Sequence, residues 1–287
     1  MNKVQKLINK MEQLDFKGSG NEFNKDITKT VVKAVSENKP INLISFTCST
    51  INSRYLFSNT PWLYVSENPK GNNLTLDIIR LGEIVRQLRL IYPKVNLNIL
   101  IGNTDPYYIY LQQFKDFSSK KDLLWNKFCN RWEKYKKRFE IWVKESVPGL
   151  GIQVISWYDF EKKIENETGK SFENEYVKIR KDISSYFKQS QLDWELRKLS
   201  TQFGKGTYFK DLEKPKDSLL KDWIIRKFAE YALQGAWIYE NIPNAILIQN
   251  EKPSDLRSQM YQPVIKKRYR DSLPIAYFLG VDNVGYQ

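Results

Sequence analysis

The sequence predicts an α/β fold built on a mainly parallel sheet with helices on its faces. Short apolar runs of strand length recur along the chain, at 41–46, 95–101, 152–156 and 245–249. Stretches with the apolar spacing of amphipathic helices lie between them, and no internal repeat or low-complexity linker interrupts the order. Strands that alternate with helices favour parallel pairing. We therefore expect these four strands to be neighbours within one domain, 39–287, which follows a helical extension at 1–38.

The first half of the chain predicts helices at 3–13, 24–36 and 74–92, strands at 41–46 and 95–101, and a possible short strand at 61–65. The apolar residues of 74–92 share one helical face, and Pro93 ends that helix. After the strand at 95–101, Thr104 or Asp105 is expected to cap a further helix that has Pro106 at its first position.

A long helix is predicted at 119–144, because aromatic residues recur there at spacings of three and four: Trp125, Phe128, Trp132, Tyr135, Phe139 and Trp142. A continuous stripe of this kind must pack against the rest of the protein. The chain then predicts a helix at 157–167, a long helical region at 172–201 with a possible break near Ser190, a helix at 217–239 and a last strand at 275–279.

The composition limits the chemistry that the chain can perform. Its 287 residues include no histidine, which excludes Ser-His-Asp and Cys-His catalysis and every His-ligated metal site. The two cysteines, Cys48 and Cys129, are too few for a cysteine-ligated zinc site. Catalysis would have to use Ser, Cys, Tyr, Lys, Asp or Glu. An all-carboxylate magnesium site is the alternative, but the sequence has no Asp-rich cluster to supply it, so we expect neither a metal nor a cofactor.

The charge and the apolar runs predict the partners and the location. Lys and Arg number 46 against 33 Asp and Glu, a net charge of +13, which favours a polyanionic partner such as RNA, DNA or an anionic membrane surface. An AT-rich genome, which enriches lysine without functional meaning, is the alternative. No apolar run reaches the ~18 residues of a membrane span, and the charged N-terminus does not resemble a secretory signal. We expect a cytoplasmic monomer or weak dimer.

The strand at 41–46 leads into a small polar segment, Thr47-Cys48-Ser49-Thr50, with Asn52 shortly after it. Open α/β sheets bind ligands at the carboxyl ends of their strands, where loop hydroxyls and backbone N–H groups meet. The segment is therefore a candidate site. The alternative is an ordinary turn rich in Ser, Thr and Asn.

The predicted helix at 119–144 also carries a basic face beside its aromatic stripe. Its members recur at spacings of three and four, with Lys137 nearby: Lys127, Arg131, Lys134 and Arg138. The charge is nearly all of one sign, so the face would repel itself without a partner. We expect it to bind RNA phosphates, and a solvated lysine face is the alternative.

Three features together resemble the tRNA-dependent cyclodipeptide synthases: the Ser49 segment after the first strand, the basic helix, and a helix with Tyr231 that leads through Pro243 to the strand AILIQ. The resemblance implies a Rossmann-like domain similar to the catalytic domains of class I aminoacyl-tRNA synthetases. It implies that Ser49 accepts an aminoacyl group from one charged tRNA. The amine of a second aminoacyl-tRNA then completes a cyclic dipeptide.

The resemblance assigns a catalytic role to Tyr231 and a supporting role to Asn52. The sequence departs from the family pattern at Thr47, where the family has Gly, and at Gly235, where it has Glu. The family's later Tyr corresponds either to Gln249-Asn250 or to Tyr261-Gln262. The nearest candidates in sequence for the missing carboxylate are Glu240 and Glu251.

Two other functions are compatible with the sequence. The segment IPNAILIQNEKP and the unit of helix, Tyr92-Pro93 and strand also resemble the isonitrile synthases, which transform an amino acid with a sugar phosphate. A non-catalytic RNA-binding protein could use the same basic helix. A serine that attacks an aminoacyl ester needs less activation than one that cleaves an amide, so the synthase chemistry suits a chain without histidine.

Overall fold

The computed structural model describes residues 2–13, 16–17, 20–48, 73–102, 136–137, 139–201, 214, 216–249 and 256–278. These residues build one six-stranded sheet with helices on both faces. The strands are β1 (Phe16–Lys17), β2 (Ile41–Cys48), β3 (Val95–Gly102), β4 (Gln153–Ser156), β5 (Ala245–Gln249) and β6 (Ile275–Phe278).

The sheet has the order β1-β6-β5-β2-β3-β4. Strands β2 to β6 are all parallel to their neighbours, and only the two-residue β1 pairs antiparallel, with β6. The prediction that the four apolar runs are neighbours in a parallel sheet is confirmed. Strand β2 lies between β3 and β5, and its Ser45 is level with Ile99 on one side and with Ile248 on the other.

The helices follow the strands in the order of an α/β fold. Their bounds are α1 (Lys3–Gln13), α2 (Gly20–Ser36), α3 (Asn73–Arg89), α4 (139–146), α5 (Trp157–Thr168), α6 (Phe172–Lys181), α7 (Gln189–Ser200), α8 (Asp217–Asn241), α9 (Leu256–Met260) and α10 (Pro263–Tyr269). Among the described residues, no helix is both long enough and apolar enough to cross a membrane.

The two faces of the sheet bury two separate apolar cores. Strand side chains alternate between the faces, so Leu43 of β2 joins one core and Ile44 joins the other. Helices α1 to α4 cover the Leu43 face, and the later helices, with the long α8 at their centre, cover the Ile44 face. Phe139 and Trp142, two members of the predicted aromatic stripe, are buried in the Leu43 core.

The helical region predicted at 172–201 contains a wider break than the sequence suggests. Helix α6 ends at Lys181, a short 3₁₀ turn covers Ile183–Ser185, and α7 begins at Gln189. At the start of α7, the backbone N–H of Lys188 donates to Gln191 Oε1 at 2.9 Å. That bond satisfies a donor that the break leaves without a helical partner.

Helix α5 begins immediately where β4 ends. The Ser156 hydroxyl caps it by accepting from the backbone N–H of Asp159 at 3.0 Å, and Gly169 ends it with a φ of 68°. The helix therefore starts at the carboxyl edge of the sheet, the edge at which the parallel strands end.

Candidate functional site

Several of the predicted site residues lie outside the described part of the chain. These are Ser49, Asn52, Glu251, Lys127, Arg131, Lys134 and, for its side chain and placement, Arg138. Lys137 is described and exposed. The backbone of Thr47 is described as part of β2. The geometry of the candidate site therefore comes from the strand ends and from the helices around them.

The carboxyl ends of β2, β3 and β4 meet at one level. Thr47 is level with Ile101 of β3, and Ile101 is level with Ser156 of β4. On the other side of β2, Ile248 is level with Ser45, so Gln249 ends β5 beside the last residues of β2. Ser49 directly follows β2, so the chain enters the predicted nucleophile segment between the ends of β3 and β5.

Gln249 is a buried polar residue at this edge, with 8% of its surface exposed. It belongs to the Ile44 face of the sheet, because Ala245 and Leu247, its alternate neighbours on β5, pack in that core. Its Nε2 has no hydrogen-bond partner among the described residues. A buried amide donor without a partner is unfavourable by about 1–3 kcal/mol. This amide is therefore suited to donate a hydrogen bond to a ligand at the carboxyl edge of the sheet.

Helix α8 brings two of the predicted residues together. Its C-terminal end leads through Pro243 into β5, so Tyr231, ten residues before that end, lies roughly 15 Å back along the helix. That distance is close to the length of a five-residue strand, which places Tyr231 near the carboxyl edge. Tyr231 and Tyr261 are both buried and pack edge to face, with ring centroids 5.1 Å apart.

The structure explains why glycine stands at position 235. A Cβ at Gly235 would lie 2.1 Å from the backbone oxygen of Tyr261, because α8 passes directly against that backbone. No side chain fits there, and a glutamate in particular does not. The Tyr231–Tyr261 pair depends on this close approach, so a carboxylate for this site has to come from another element.

Glu240 does not supply that carboxylate, because it lies at the opposite end of the molecule. It is one residue from the end of α8, next to the turn that starts β5. Its carboxylate accepts from Arg268 Nη1 at 3.2 Å and from the Tyr269 hydroxyl at 2.5 Å. The expectation that Glu240 could replace the missing glutamate is therefore wrong for a site at the carboxyl edge.

A glutamate that the sequence analysis missed, Glu161, lies in the second turn of α5 and is half-buried. Burial raises its pKa to about 8, against the opposing effect of a hydrogen bond from Trp157 Nε1. The negative charges of Glu230 and Glu165 raise the pKa further, and Arg226 lowers it. A carboxyl group that titrates near neutral pH is a candidate for proton transfer.

Arg226, which lowers the pKa of Glu161, also pairs with two other carboxylates. Its Nε lies 2.7 Å from Glu230 Oε1 and its Nη2 lies 3.5 Å from Glu173 Oε2. Glu230 directly precedes Tyr231 in α8, so the Arg226–Glu230 ion pair lies close to Tyr231 along the helix. The charges of Glu230 and Arg226, both on α8, act on Glu161 of α5.

The sequence contains little that singles out Glu161. It is one of several glutamates in α5, and its spacing of four residues from Trp157 is common on helices. Only the folded structure reveals that this side chain is desolvated.

Comparisons with known proteins do not assign the chain to a family: no protein-family model and no curated protein matches its sequence. Within the described residues, no three cysteine or carboxylate side chains come close enough together to hold a metal ion.

Proposed function

We propose that this chain is an aminoacyl transferase that uses aminoacyl-tRNA and forms a cyclic dipeptide through a seryl intermediate. The observation that carries the proposal is the position of β2 at the centre of the parallel sheet. Beside its end lies the buried amide of Gln249, which has no partner among the described residues. This is the edge at which open α/β sheets bind ligands, and the Ser49 segment starts there.

The chemistry proceeds in two transfers. Ser49 Oγ attacks the carbonyl carbon of an aminoacyl ester. The new Ser–acyl bond forms as the bond to the ribose oxygen breaks, and that oxygen takes the serine proton. The amine of a second aminoacyl-tRNA then attacks the seryl ester and releases the serine hydroxyl. Attack of the remaining amine on the second ester closes the ring and releases the second tRNA.

The described residues support three roles in this scheme. Tyr231 and Tyr261 are buried aromatic residues near the strand ends, and we assign to them the apolar surroundings of the aminoacyl side chain. Gln249 offers a buried amide donor to the substrate. Glu161 is the carboxyl group near this level whose proton is exchanged close to neutral pH, so we assign to it the proton transfers of the attacking amine.

The net charge of +13 supports tRNA as the carrier of the aminoacyl group. The basic face at Lys127, Arg131, Lys134 and Arg138 is the part of the chain that we assign to its phosphates. Replacing all four residues by alanine is expected to weaken tRNA binding and to flatten its dependence on salt. Unchanged affinity at low salt would contradict this assignment.

The proposal is tested by intact-protein mass spectrometry after the protein is mixed with aminoacyl-tRNA. The wild-type chain is expected to gain the mass of one aminoacyl group, and Ser49→Ala is expected to gain none. Ser36→Ala is the matched control, since Ser36 is exposed at the end of α2 and its hydroxyl donates to the backbone oxygen of Lys33 at 3.0 Å.

Three results would overturn the proposal: labelling of Ser49→Ala, no labelling of the wild type together with no cyclic dipeptide, or equal loss of labelling in Ser36→Ala. Stable tRNA binding without any acyl transfer would favour the non-catalytic RNA-binding function. Turnover of a free amino acid with a sugar phosphate would favour the isonitrile-synthase-like function.

A further inference from the structure

A groove with a volume of about 540 Å³ lies at the amino edge of the sheet, the edge opposite the proposed reaction site. The turns that precede β5 and β6 form its floor, and α2 and the end of α8 form its sides. A volume of this size is within the range of sites for small molecules. The groove has no part in the proposed aminoacyl transfer.

One wall of the groove is aromatic. Tyr239 and Tyr269 pack with ring centroids 5.3 Å apart, and 44% of Tyr269 is exposed. Each hydroxyl is held by a carboxylate: Tyr239 donates to Asp271 at 2.9 Å and Tyr269 donates to Glu240 at 2.5 Å. These bonds fix the rings in place, and burial together with the bond to Asp271 raises the pKa of Tyr239 to about 12, so it remains neutral.

The carboxylates of the groove are already engaged by protein groups. Asp271 accepts from Lys29 Nζ at 3.1 Å, and Glu240 accepts from Arg268. Glu37 pairs with Lys39 at 2.8 Å. The fourth lining carboxylate, Asp26, accepts from the Ser272 hydroxyl at 2.5 Å. The acidic groups therefore hold the walls together and are poorly placed to bind a cation.

The lysines of the opposite wall remain accessible. Lys29 and Lys33 are one helical turn apart on α2, and Lys39 follows that helix. Side-chain exposures of 66% for Lys29 and 58% for Lys39 show that their pairs leave the ammonium groups open to solvent. Lys33 forms no ion pair within the described part of the chain. Its positive charge lowers the pKa of Glu37 through a longer-range electrostatic interaction.

We propose that this groove binds a nucleotide, with its phosphate on Lys33 and its neighbouring lysines and its base on the open face of Tyr269. An exposed aromatic ring is a stacking platform for bases, and lysines are point charges suited to phosphate. The same nucleotide chemistry is found in a free mononucleotide and at the end of a single-stranded RNA.

The test is calorimetric titration of the full chain with adenosine 5′-monophosphate, adenosine and inorganic phosphate. Lys33→Ala is expected to weaken AMP binding about threefold to tenfold at low salt and to leave adenosine binding unchanged. Tyr269→Leu is expected to weaken binding of both AMP and adenosine about tenfold, and Tyr269→Phe to keep it, because the ring is retained. Lys163→Ala is the matched control, since Lys163 is an exposed lysine on α5.

The proposal is overturned if the wild type binds AMP no more tightly than inorganic phosphate, or if neither Lys33→Ala nor Tyr269→Leu weakens it. An equal effect of Lys163→Ala would show nonspecific charge attraction and would also overturn it. Competition by a single-stranded RNA trinucleotide identifies an RNA end as the natural source of the nucleotide, and lack of competition identifies a free mononucleotide. Neither result depends on acylation of Ser49, so this proposal and the proposed transfer can fail separately.

Discussion

The two edges of the sheet satisfy their polar groups in different ways. At the amino edge, the carboxylates of Asp271 and Glu240 are bound by lysine, arginine and tyrosine side chains of the described structure. At the carboxyl edge, Gln249 has a buried amide without a described partner, and Glu161 is desolvated beside further carboxylates. Satisfied groups stabilise a fold, whereas unsatisfied buried groups need a loop, a water molecule or a ligand to complete them.

The largest expected effect concerns the close contact behind the carboxyl edge. Gly235→Ala is expected to destabilise the protein by about 3 kcal/mol or more, because the new Cβ would lie 2.1 Å from a backbone oxygen that cannot rotate away. The measurement is the midpoint of urea unfolding. Gly169→Ala is the control, because a Cβ at Gly169 would meet no atom within 4 Å but the residue has a φ of 68°. The free energy of unfolding of Gly169→Ala is therefore expected to fall by about 1 kcal/mol. Equal effects would show that backbone conformation and not contact sets the cost at Gly235.

The second prediction concerns the pH dependence of stability. The pKa of Glu161 is raised from 4.5 to about 8 in the folded chain, so folding holds a proton that the unfolded chain releases. The stability that Glu161 contributes is therefore fully present below pH 4.5 and is lost as the pH rises to about 8. At 1.36 kcal/mol per pH unit between pH 4.5 and about 8, the stability lost is at most about 5 kcal/mol.

Glu161→Gln removes that titration, so it is expected to stabilise the protein by about 2 kcal/mol or more at pH 9 and by much less at pH 5. The measurement is the free energy of unfolding across that range. Glu167→Gln is the control, because Glu167 is an exposed glutamate of the same helix. A parallel pH profile for wild type and Glu161→Gln would show that Glu161 is solvated and is unsuited to proton transfer.

The third prediction tests the buried amide of Gln249, which has no partner in the described part of the chain. Gln249→Met keeps the length of the side chain and removes the buried donor, so it is expected to raise the free energy of unfolding by about 1 kcal/mol. The same change is expected to lower the rate of serine acylation about tenfold, because the substrate loses a hydrogen bond. Loss of stability would mean that the amide is satisfied in the free protein, and the proposed role of Gln249 would then fail.

The smallest effect is expected at the amino edge, where the sign should be reversed. Tyr239→Phe removes a satisfied hydrogen bond to Asp271, so it is expected to lower the free energy of unfolding by about 0.5 kcal/mol. Asp271 keeps Lys29 and the backbone N–H of Ser272, which limits the loss. Thermal unfolding of Tyr239→Phe beside Gln249→Met compares the two edges directly, and changes of equal sign would remove the distinction between them.

The local sequence determined most of the elements. Helix α1 and strand β5 have the bounds that their apolar periodicity predicts, Lys3–Gln13 and Ala245–Gln249. The apolar residues Leu220, Phe228 and Ala232 recur at helical spacings along α8, and all three are buried. These predictions succeed because a helix or strand that covers a core must repeat its apolar residues at the period of its own geometry.

Tertiary structure alone decided the properties of the candidate sites. The sequence shows Gly235 as a departure from a motif, whereas the fold shows it as the point at which α8 meets the backbone of Tyr261. The sequence proposes Glu240 because it is near along the chain, and it does not single out Glu161. The fold places Glu240 at the amino edge and desolvates Glu161 near the carboxyl edge. Desolvation and close contact depend on which elements pack together, and that pairing spans parts of the chain that local periodicity does not connect.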